Sequence, residues 1–323
     1  MGAALNPDGG ASPEAAPGDT RPAEVAIVAD DDQDSSIGEE DLDNELSVAS
    51  LRSSILSYQM ENGFGYHGLN KGRKQYFAPG ADTAKRVMDA GTGTGIWAID
   101  FADSHPQAEV VGVDVAPIQP SFVPPNCRFE IDDLDKEWTW AFKWDYIFTR
   151  TMNAAFADWE VYCKKVFDNL EPGGWLEIID AMYPISCDDG TLKPDSSLQQ
   201  WNDLLIKGAE ALGRPITEPQ HHKQRVLDAG FVNVEEKRYC WPTNRWPKDK
   251  NLKEVGLWTL ANVEGNLEHV SMALLARGAG MSREEVLSFL AGVRKDLRDT
   301  KIHAYWSITV VYGQKPTTTS EGS

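Results

Sequence analysis

The chain has 323 residues, 41% of them hydrophobic, and its 50 acidic and 31 basic residues give a net charge of −19. This charge balance argues against direct binding of nucleic acid, whose phosphates attract clustered lysine and arginine. The apolar runs are shorter than the ~20 residues that span a bilayer, so no membrane-spanning helix is expected. The four cysteines are widely spaced without a C-x-x-C pair, so we expect reduced thiols, no metal site and an intracellular protein, cytoplasmic or nuclear.

The first predicted segment is an acidic tail. Residues 1–45 contain thirteen acidic residues, one arginine and few large apolar side chains. Such a segment cannot bury enough apolar surface to offset its ordering entropy, so we predict that it is disordered. Residues 46–84 are predicted to be a lid or linker, with an amphipathic helix over 46–60 and a glycine-rich aromatic loop at 61–68. A second disordered tail is predicted at 317–323.

From residue 85 onward, apolar runs alternate with helical patterns. This alternation is typical of an α/β fold, and it predicts a seven-stranded, mostly parallel sheet with helices on both faces. Residues 170–174, Leu-Glu-Pro-Gly-Gly, are predicted to be a turn before the fifth strand. The predicted strands are 85–89, 109–114, 127–131, 145–148, 175–179, 231–237 and 306–312, and the predicted helices are 95–104, 155–170 and one ending near Gly230.

Two segments interrupt this alternation, residues 181–219 and 240–303. The first includes an apolar stretch at 198–206 and the second is largely helical in pattern, and we expect them to pack together as a cap that forms the acceptor pocket. The second segment contains Trp241, Trp246 and Trp258. We expect these rings in the core rather than on a ligand, because tryptophan is buried mainly for its area.

A glycine-rich turn joins the first predicted strand to the first predicted helix. Gly91, Gly93 and Gly95 follow Asp89 at alternate positions, and glycine lets the backbone approach a ligand closely because it has no Cβ. Nineteen residues past Gly95, Asp114 ends the second apolar run. A carboxylate at that place can accept hydrogen bonds from ribose hydroxyls, so the pattern predicts a bound nucleoside.

The spacing of the glycines separates two classes of nucleoside ligand. The dinucleotide fingerprint G-x-G-x-x-G requires its third glycine where this chain has Ile96. The pattern here, Asp-x-Gly-x-Gly-x-Gly, resembles motif I of the class I S-adenosylmethionine (SAM) methyltransferases. A dinucleotide-dependent oxidoreductase is therefore a disfavoured alternative, and a glycine turn without any ligand is another.

Further polar residues follow the other predicted strands. They are Asp132–Asp133, Thr149–Arg150 and Asp180. Because ligands of open α/β sheets bind outside the carboxyl ends of the strands, we expect these residues to line one crevice with the glycine turn and Asp114.

Longer stretches carry a more specific resemblance, from about residue 55 to 316. Through these stretches the chain resembles the fungal LaeA-like methyltransferases, a class I SAM-dependent group. The matching stretches are Asp89-Ala-Gly-Thr-Gly-Thr-Gly-Ile-Trp-Ala-Ile-Asp100, Gly112-Val-Asp-Val-Ala-Pro-Ile-Gln-Pro120, Val123-Pro-Pro-Asn126, Phe129-Glu-Ile-Asp-Asp133, Leu170-Glu-Pro-Gly-Gly-Trp175, Trp246-Pro-Lys-Asp249 and Tyr312-Gly-Gln-Lys-Pro316.

The resemblance implies a Rossmann-like class I fold and SAM as cofactor. It implies that the Gly91–Gly95 loop binds SAM, that Asp114 recognises the ribose, and that Asp133 and Leu134 lie near the adenine. The candidate cofactor-binding residues are therefore Asp89, Gly91, Thr92, Gly93, Gly95, Asp114, Val115, Asp133, Leu134 and Thr149.

The same group suggests two functional hypotheses. Some members are nuclear regulators of secondary metabolism that work with velvet-type proteins, and others are tailoring enzymes of natural-product clusters. We therefore expect a methyltransferase acting on a small molecule, such as a secondary metabolite, or on a protein. The alternative is a non-catalytic or weakly catalytic SAM-fold regulatory scaffold that acts with velvet-type partners in the nucleus.

No catalytic residue is assigned, because transfer of a methyl group from a sulfonium depends mainly on alignment and desolvation, and it needs a base only if the acceptor loses a proton. His67, Asp180 and Tyr183 are candidates near the mouth of the crevice, although we expect each to be structural. The pair His221-His222 is predicted to be the solvated start of a helix.

Overall fold

The computed structural model describes residues 27–30 and 75–317. None of its α-helices combines the length and the apolar character that a bilayer span requires. The strands are β1 Arg86–Ala90, β2 Glu109–Asp114, β3 Cys127–Ile131, β4 Trp144–Arg150, β5 Leu170–Ala181, β6 Val232–Pro242 and β7 Tyr305–Gln314. The α-helices are α1 Ile96–Ser104, α2 Trp159–Asn169, α3 Ser197–Ala211, α4 His222–Asp228, α5 Lys250–Ser271 and α6 Arg283–Arg298.

The seven strands form one sheet in the order β3-β2-β1-β4-β5-β7-β6. Strands β1 to β5 pair in parallel, and β7 lies antiparallel between β5 and β6. Helix α1 packs on one face of this sheet, and α2 and α4 pack on the other. The predicted architecture is confirmed, and it is the Rossmann-like fold of the class I methyltransferases.

The helices of the two interrupting segments pack against each other. Buried side chains of α3, α5 and α6 form a single apolar cluster, which includes Leu198, Trp201 and Leu205 of α3, Leu260 and Leu267 of α5, and Val286, Leu290 and Val293 of α6. At Gly208 a Cβ would lie 2.3 Å from the carbonyl oxygen of Leu274, so the backbones approach closely there. Of the three tryptophans predicted to lie in the core, Trp246 is buried, whereas Trp241 and Trp258 are only partly buried. The indole N–H of Trp246 donates to the carbonyl oxygen of Ala304 at 2.9 Å.

The predicted turn at residues 170–174 lies inside β5. Leu170 already pairs with Trp144, and after an irregularity the pairing resumes with Trp175 opposite Tyr146. Gly173 adopts a φ of 84° within this irregularity. The turn-forming residues therefore produce a bulge in the strand and do not end it.

Helix α2 begins four residues later than the predicted helix over 155–170. The Asp158 side chain accepts hydrogen bonds from the N–H groups of Glu160 and Val161, so Asp158 is the N-cap. The residues before it form the turn that leaves β4.

Part of the predicted disordered tail is paired with the cap. Ala29 forms an antiparallel bridge with Pro247, and the Asp30 N–H donates to the carbonyl oxygen of Trp246 at 2.9 Å. Asp30 also forms an ion pair with Lys253. The prediction of disorder is therefore wrong for residues 27–30, because their backbone groups find partners in the cap. The rest of the tail, the predicted helix at 46–60, the loop at 61–68 with His67, and residues 318–323 lie outside the described residues.

Candidate functional site at the carboxyl edge of the sheet

The glycine turn leaves β1 and enters α1 through three residues in the left-handed region. Gly91, Gly93 and Gly95 have φ angles of 73°, 56° and 83°, which glycine adopts without the penalty that a Cβ incurs. The N–H groups of Gly91 and Thr92 both donate to the carbonyl oxygen of Val113, at 2.9 and 3.0 Å. The turn is therefore hydrogen-bonded to β2 as well as continuous with β1.

The three glycines are required for different reasons. A Cβ at Gly91 would lie 2.2 Å from the sulfur of Met152, and a Cβ at Gly95 would lie 2.1 Å from the ring of Phe129. At Gly93, no described atom beyond the residue itself and its two chain neighbours lies within 4 Å of the Cβ position. Gly91 and Gly95 thus permit close packing within the protein, whereas Gly93 presents bare backbone to open space that a ligand can occupy.

Asp89, at the end of β1, stabilises the glycine turn through a buried hydrogen bond. Its side chain is buried and accepts a hydrogen bond from the Thr92 hydroxyl at 2.6 Å. Burial raises the pKa of Asp89 to about 6, and the Thr92 hydrogen bond and the nearby Arg150 oppose that rise. Asp89 therefore acts on the shape of the turn through Thr92.

Asp114, at the end of β2, joins its own strand end to the glycine turn. One carboxylate oxygen accepts from the Gly93 N–H at 2.8 Å, and the other accepts from the Ala116 N–H at 3.0 Å. Each carboxylate oxygen can accept more than one hydrogen bond, so the Asp114 side chain retains acceptor capacity beside Gly93.

Gln119 was not among the sequence-predicted site residues. Its side-chain amide donates to the carbonyl oxygens of Gly93 at 2.6 Å and of Ala116 at 2.9 Å. Asp114 and Gln119 therefore fix the two peptide groups that flank Gly93, the first through the Gly93 N–H and the second through the Gly93 carbonyl oxygen. Gln119 lies within the stretch 112–120 that resembles the family, but residue spacing alone does not predict that its side chain contacts Gly93.

The other predicted cofactor-binding residues differ in their surroundings. Val115 is exposed, and the Asp133 carboxylate accepts from the Asp135 N–H at 3.0 Å in a partly exposed turn. Leu134 is buried. Thr149 is fully buried, with its hydroxyl 2.6 Å from that of Tyr162, so its side chain faces the core under α2 and not the crevice.

Arg150 brings a positive charge to this edge of the sheet. Its guanidinium lies 5.5 Å from the ring centre of Phe148, and its charge opposes the rise in the pKa of both Asp89 and Glu177. The polar residues at the ends of β1, β2 and β5 are acids, so Arg150 supplies the complementary charge.

Glu177 is a second residue that the sequence did not identify. Its fully buried carboxylate accepts hydrogen bonds from the N–H groups of Phe77 and Ala78, at 2.8 and 2.7 Å, and from the Tyr146 hydroxyl at 3.0 Å. Burial raises the pKa of Glu177 to about 7, and these hydrogen bonds oppose that rise. Glu177 thus holds the segment that precedes β1 against the sheet.

Among the candidate catalytic residues, Tyr183 is partly buried, and burial raises the pKa of its hydroxyl to about 12. Asp180 is buried and lies 3.2 Å from the Nε2 atom of His222. The prediction that both histidines are solvated is wrong for His222, which is fully buried, although His221 is exposed. Helix α4 turns His222 inward to Asp180, a partner 42 residues away in sequence.

Comparisons with known proteins agree with this architecture. Residues 65–236 match the pattern of a family described as a methyltransferase domain. The chain is 34% identical over 302 residues to methyltransferase pytC of Aspergillus terreus, covering 85% of this chain and 93% of that protein. It is 33% identical over 293 residues to the secondary metabolism regulator LAE1 of Cochliobolus heterostrophus, covering 80% and 95%. It is 30% identical over 291 residues to the protein-methionine methyltransferase laeA of Emericella nidulans, covering 80% and 77%.

Proposed function

Because this chain belongs to the methyltransferase domain family, we propose that its glycine turn and Asp114 bind SAM and that its helical cap supplies the site for the methyl acceptor. The protein is a SAM-dependent methyltransferase of the LaeA-like type, linked to secondary metabolism. The observation that carries the site assignment is the hydrogen bond from Gly93 to Asp114, on a turn whose Gly93 faces open space.

Each part of the crevice suits a part of this cofactor. The bare backbone at Gly93 admits the methionine half, and Asp114 has acceptor capacity for the ribose hydroxyls. The turn at Asp133 and Leu134 lies after β3, where the resemblance places the adenine. Arg150 offers a guanidinium for the carboxylate of the methionine half, a pairing for which its planar donors are suited.

When bound, SAM would supply a methyl group on a sulfonium sulfur, for which the neutral thioether is an excellent leaving group. The protein residues then have to align the acceptor and exclude water. The acids Asp89 and Asp114 suit a cationic ligand, because opposite charges attract strongly where water is excluded. A general base is required only for an acceptor that loses a proton.

The acceptor is a small molecule, such as a secondary metabolite, or a protein side chain. The relative from Emericella nidulans is named a protein-methionine methyltransferase, and a thioether carries no proton to lose, so such an acceptor fits a site without an assigned base. Incubation of the full chain with methyl-labelled SAM and a cell extract distinguishes the two classes by the size of the labelled product.

A partnership with velvet-type proteins in the nucleus belongs to the same proposal. The support for it is the resemblance to the LaeA-like group, some members of which work with such proteins; the similar protein LAE1 is named a secondary metabolism regulator. Copurification of the full chain with such a protein tests the partnership, and repeating it with the Asp114→Ala variant tests whether it depends on SAM.

Calorimetric titration with SAM and with NAD tests the site assignment. We expect binding of SAM alone, with Asp114→Ala raising the Kd at least about tenfold, as expected for the loss of a charge-assisted hydrogen bond. Asp114→Asn, which keeps an acceptor for the Gly93 N–H, separates this effect from simple collapse of the turn. Binding of NAD, or an unchanged Kd for SAM in Asp114→Ala, would contradict the assignment.

A further inference from the structure

Asp180 at the end of β5 and His222 at the start of α4 form a buried pair. The Oδ2 atom of Asp180 lies 3.2 Å from Nε2 of His222, and neither side chain is exposed to solvent. The ring of Trp159 covers the imidazole, with 4.2 Å between ring centres. With Asp180 ionised, its carboxylate only accepts hydrogen bonds, and His222 then donates through Nε2.

The second oxygen of Asp180 holds the turn that follows β4. It accepts a hydrogen bond from the Met152 N–H at 2.8 Å. Thr151, the preceding residue, has a φ of 57°, which is unfavourable for a residue with a Cβ. On either side, the Thr151 N–H donates to Ile179 at 2.9 Å and the Asn153 side chain donates to Ala181 at 2.7 Å. The end of β5 thus fixes three consecutive residues of this turn.

The side chain of Met152 lies directly against the glycine turn. A Cβ at Gly91 would lie 2.2 Å from its sulfur and 2.5 Å from its terminal methyl carbon. The thioether therefore fills the space beside Gly91, and a shift of Met152 would remove the side chain against which Gly91 packs. A continuous series of contacts runs from His222 through Asp180 and Met152 to the glycine turn.

Stability alone does not account for a buried acid and imidazole at this place. The Nδ1 atom of His222 has no hydrogen-bond partner among the described residues, and leaving a buried polar atom unpaired costs free energy. Burial also raises the pKa of Asp180, which the hydrogen bond from His222 opposes. Apolar side chains of similar volume often fill a core without such costs. A role in placing Met152 explains why polar residues occupy this position.

We propose that Asp180 and His222 are positioning residues for SAM binding, which hold the Met152 thioether against Gly91 and thereby set the shape of the glycine turn. This inference rests on the proposed function, because it assigns both residues to the SAM site. It predicts that changes at His222, which is remote from the turn in sequence, alter cofactor affinity.

The test is the Kd for SAM, measured by calorimetric titration of full-length variants well below their unfolding temperatures. We expect His222→Leu, which removes the donor, to raise the Kd about tenfold, and His222→Gln, which retains an N–H donor, to stay within about threefold of the wild type. The adjacent and exposed His221→Gln is the matched control and should leave the Kd unchanged.

A double-mutant cycle separates positioning from general destabilisation. If the pair acts through the thioether, Met152→Ala alone weakens binding, and adding His222→Leu to it causes no further rise in Kd. A residue with a merely structural role would give effects that multiply.

The inference is overturned if His222→Leu binds SAM as tightly as the wild type, or if the two effects multiply. Should His222→Leu fail to fold, Asp180→Ala, which removes the acceptor for the Met152 N–H, is expected to show the same rise, and an unchanged Kd there is equally decisive. A wild-type protein that does not bind SAM contradicts the proposed function instead.

Discussion

Gly93→Ala is the sharpest perturbation of the proposed cofactor site. Gly93 has a φ of 56°, and the Cβ position there faces open space. An alanine in the left-handed region costs roughly 1–2 kcal/mol of folding stability. In the free protein the added methyl group contacts none of the described residues beyond its chain neighbours, so we expect no further loss of stability.

In the complex, the same methyl group would occupy space that belongs to the ligand. Overpacking by one methyl group costs about 1–3 kcal/mol, and this corresponds to a rise in the Kd for SAM of about 5-fold to 150-fold. Calorimetric titration measures the Kd, and urea denaturation measures the stability, so the two effects are observed separately.

Gly190 provides a matched control for backbone strain. It has a φ of 70°, and its Cβ position is equally open among the described residues. Gly190→Ala should therefore lose the same stability as Gly93→Ala but bind SAM normally. Wild-type affinity in Gly93→Ala, or an equal loss of affinity in Gly190→Ala, would refute the reasoning that the open side of the turn receives the ligand.

Two further predictions concern charged groups. Arg150→Met should weaken binding of SAM about tenfold, because a charge-assisted hydrogen bond to the carboxylate of SAM is lost. Binding of 5′-methylthioadenosine, which lacks this carboxylate, should be unchanged. Equal weakening of both ligands would exclude the pairing of Arg150 with the carboxylate. The pKa of Glu177 is raised from 4.5 to about 7 in the folded protein, so the native state binds the proton more tightly than the unfolded chain. The free energy of unfolding should therefore fall as the pH rises through this interval, by at most about 3 kcal/mol. Glu177→Gln should remove that decline, and parallel pH profiles of the two proteins in urea denaturation would contradict it.

The sheet was predictable because each strand has a recognisable pattern in its own few residues. Apolar runs that end in acids, such as those ending at Asp89 and Asp114, mark both the strand and the edge where it stops. The bulge at residues 170–174 was missed because its proline and glycines are typical of a turn, whereas pairing with β4 continues through them. Tertiary hydrogen bonding overrode the local preference there.

The candidate site was predictable only where its residues are close in sequence to a recognisable motif. The glycines and Asp114 are spaced as the nucleoside-binding pattern requires. Met152 and His222 lie far from that motif in sequence, and a histidine at a helix start usually faces solvent. Their contacts arise from how β4, β5 and α4 meet in space, and no spacing rule for a single chain contains that information.

The way in which the cap joins the sheet has a consequence for the diversity of such enzymes. The longer of the two cap segments departs after β6 and returns in β7, and its flanking residues Pro242 and Tyr305 are direct cross-strand partners. Because the pairing of β6 with β7 holds Pro242 and Tyr305 together, the helices between them can be replaced without a change in how the segment connects to the sheet. Under the proposed function, substrate preference can therefore diverge by replacement of this one segment, while the proposed nucleoside-binding half stays unchanged.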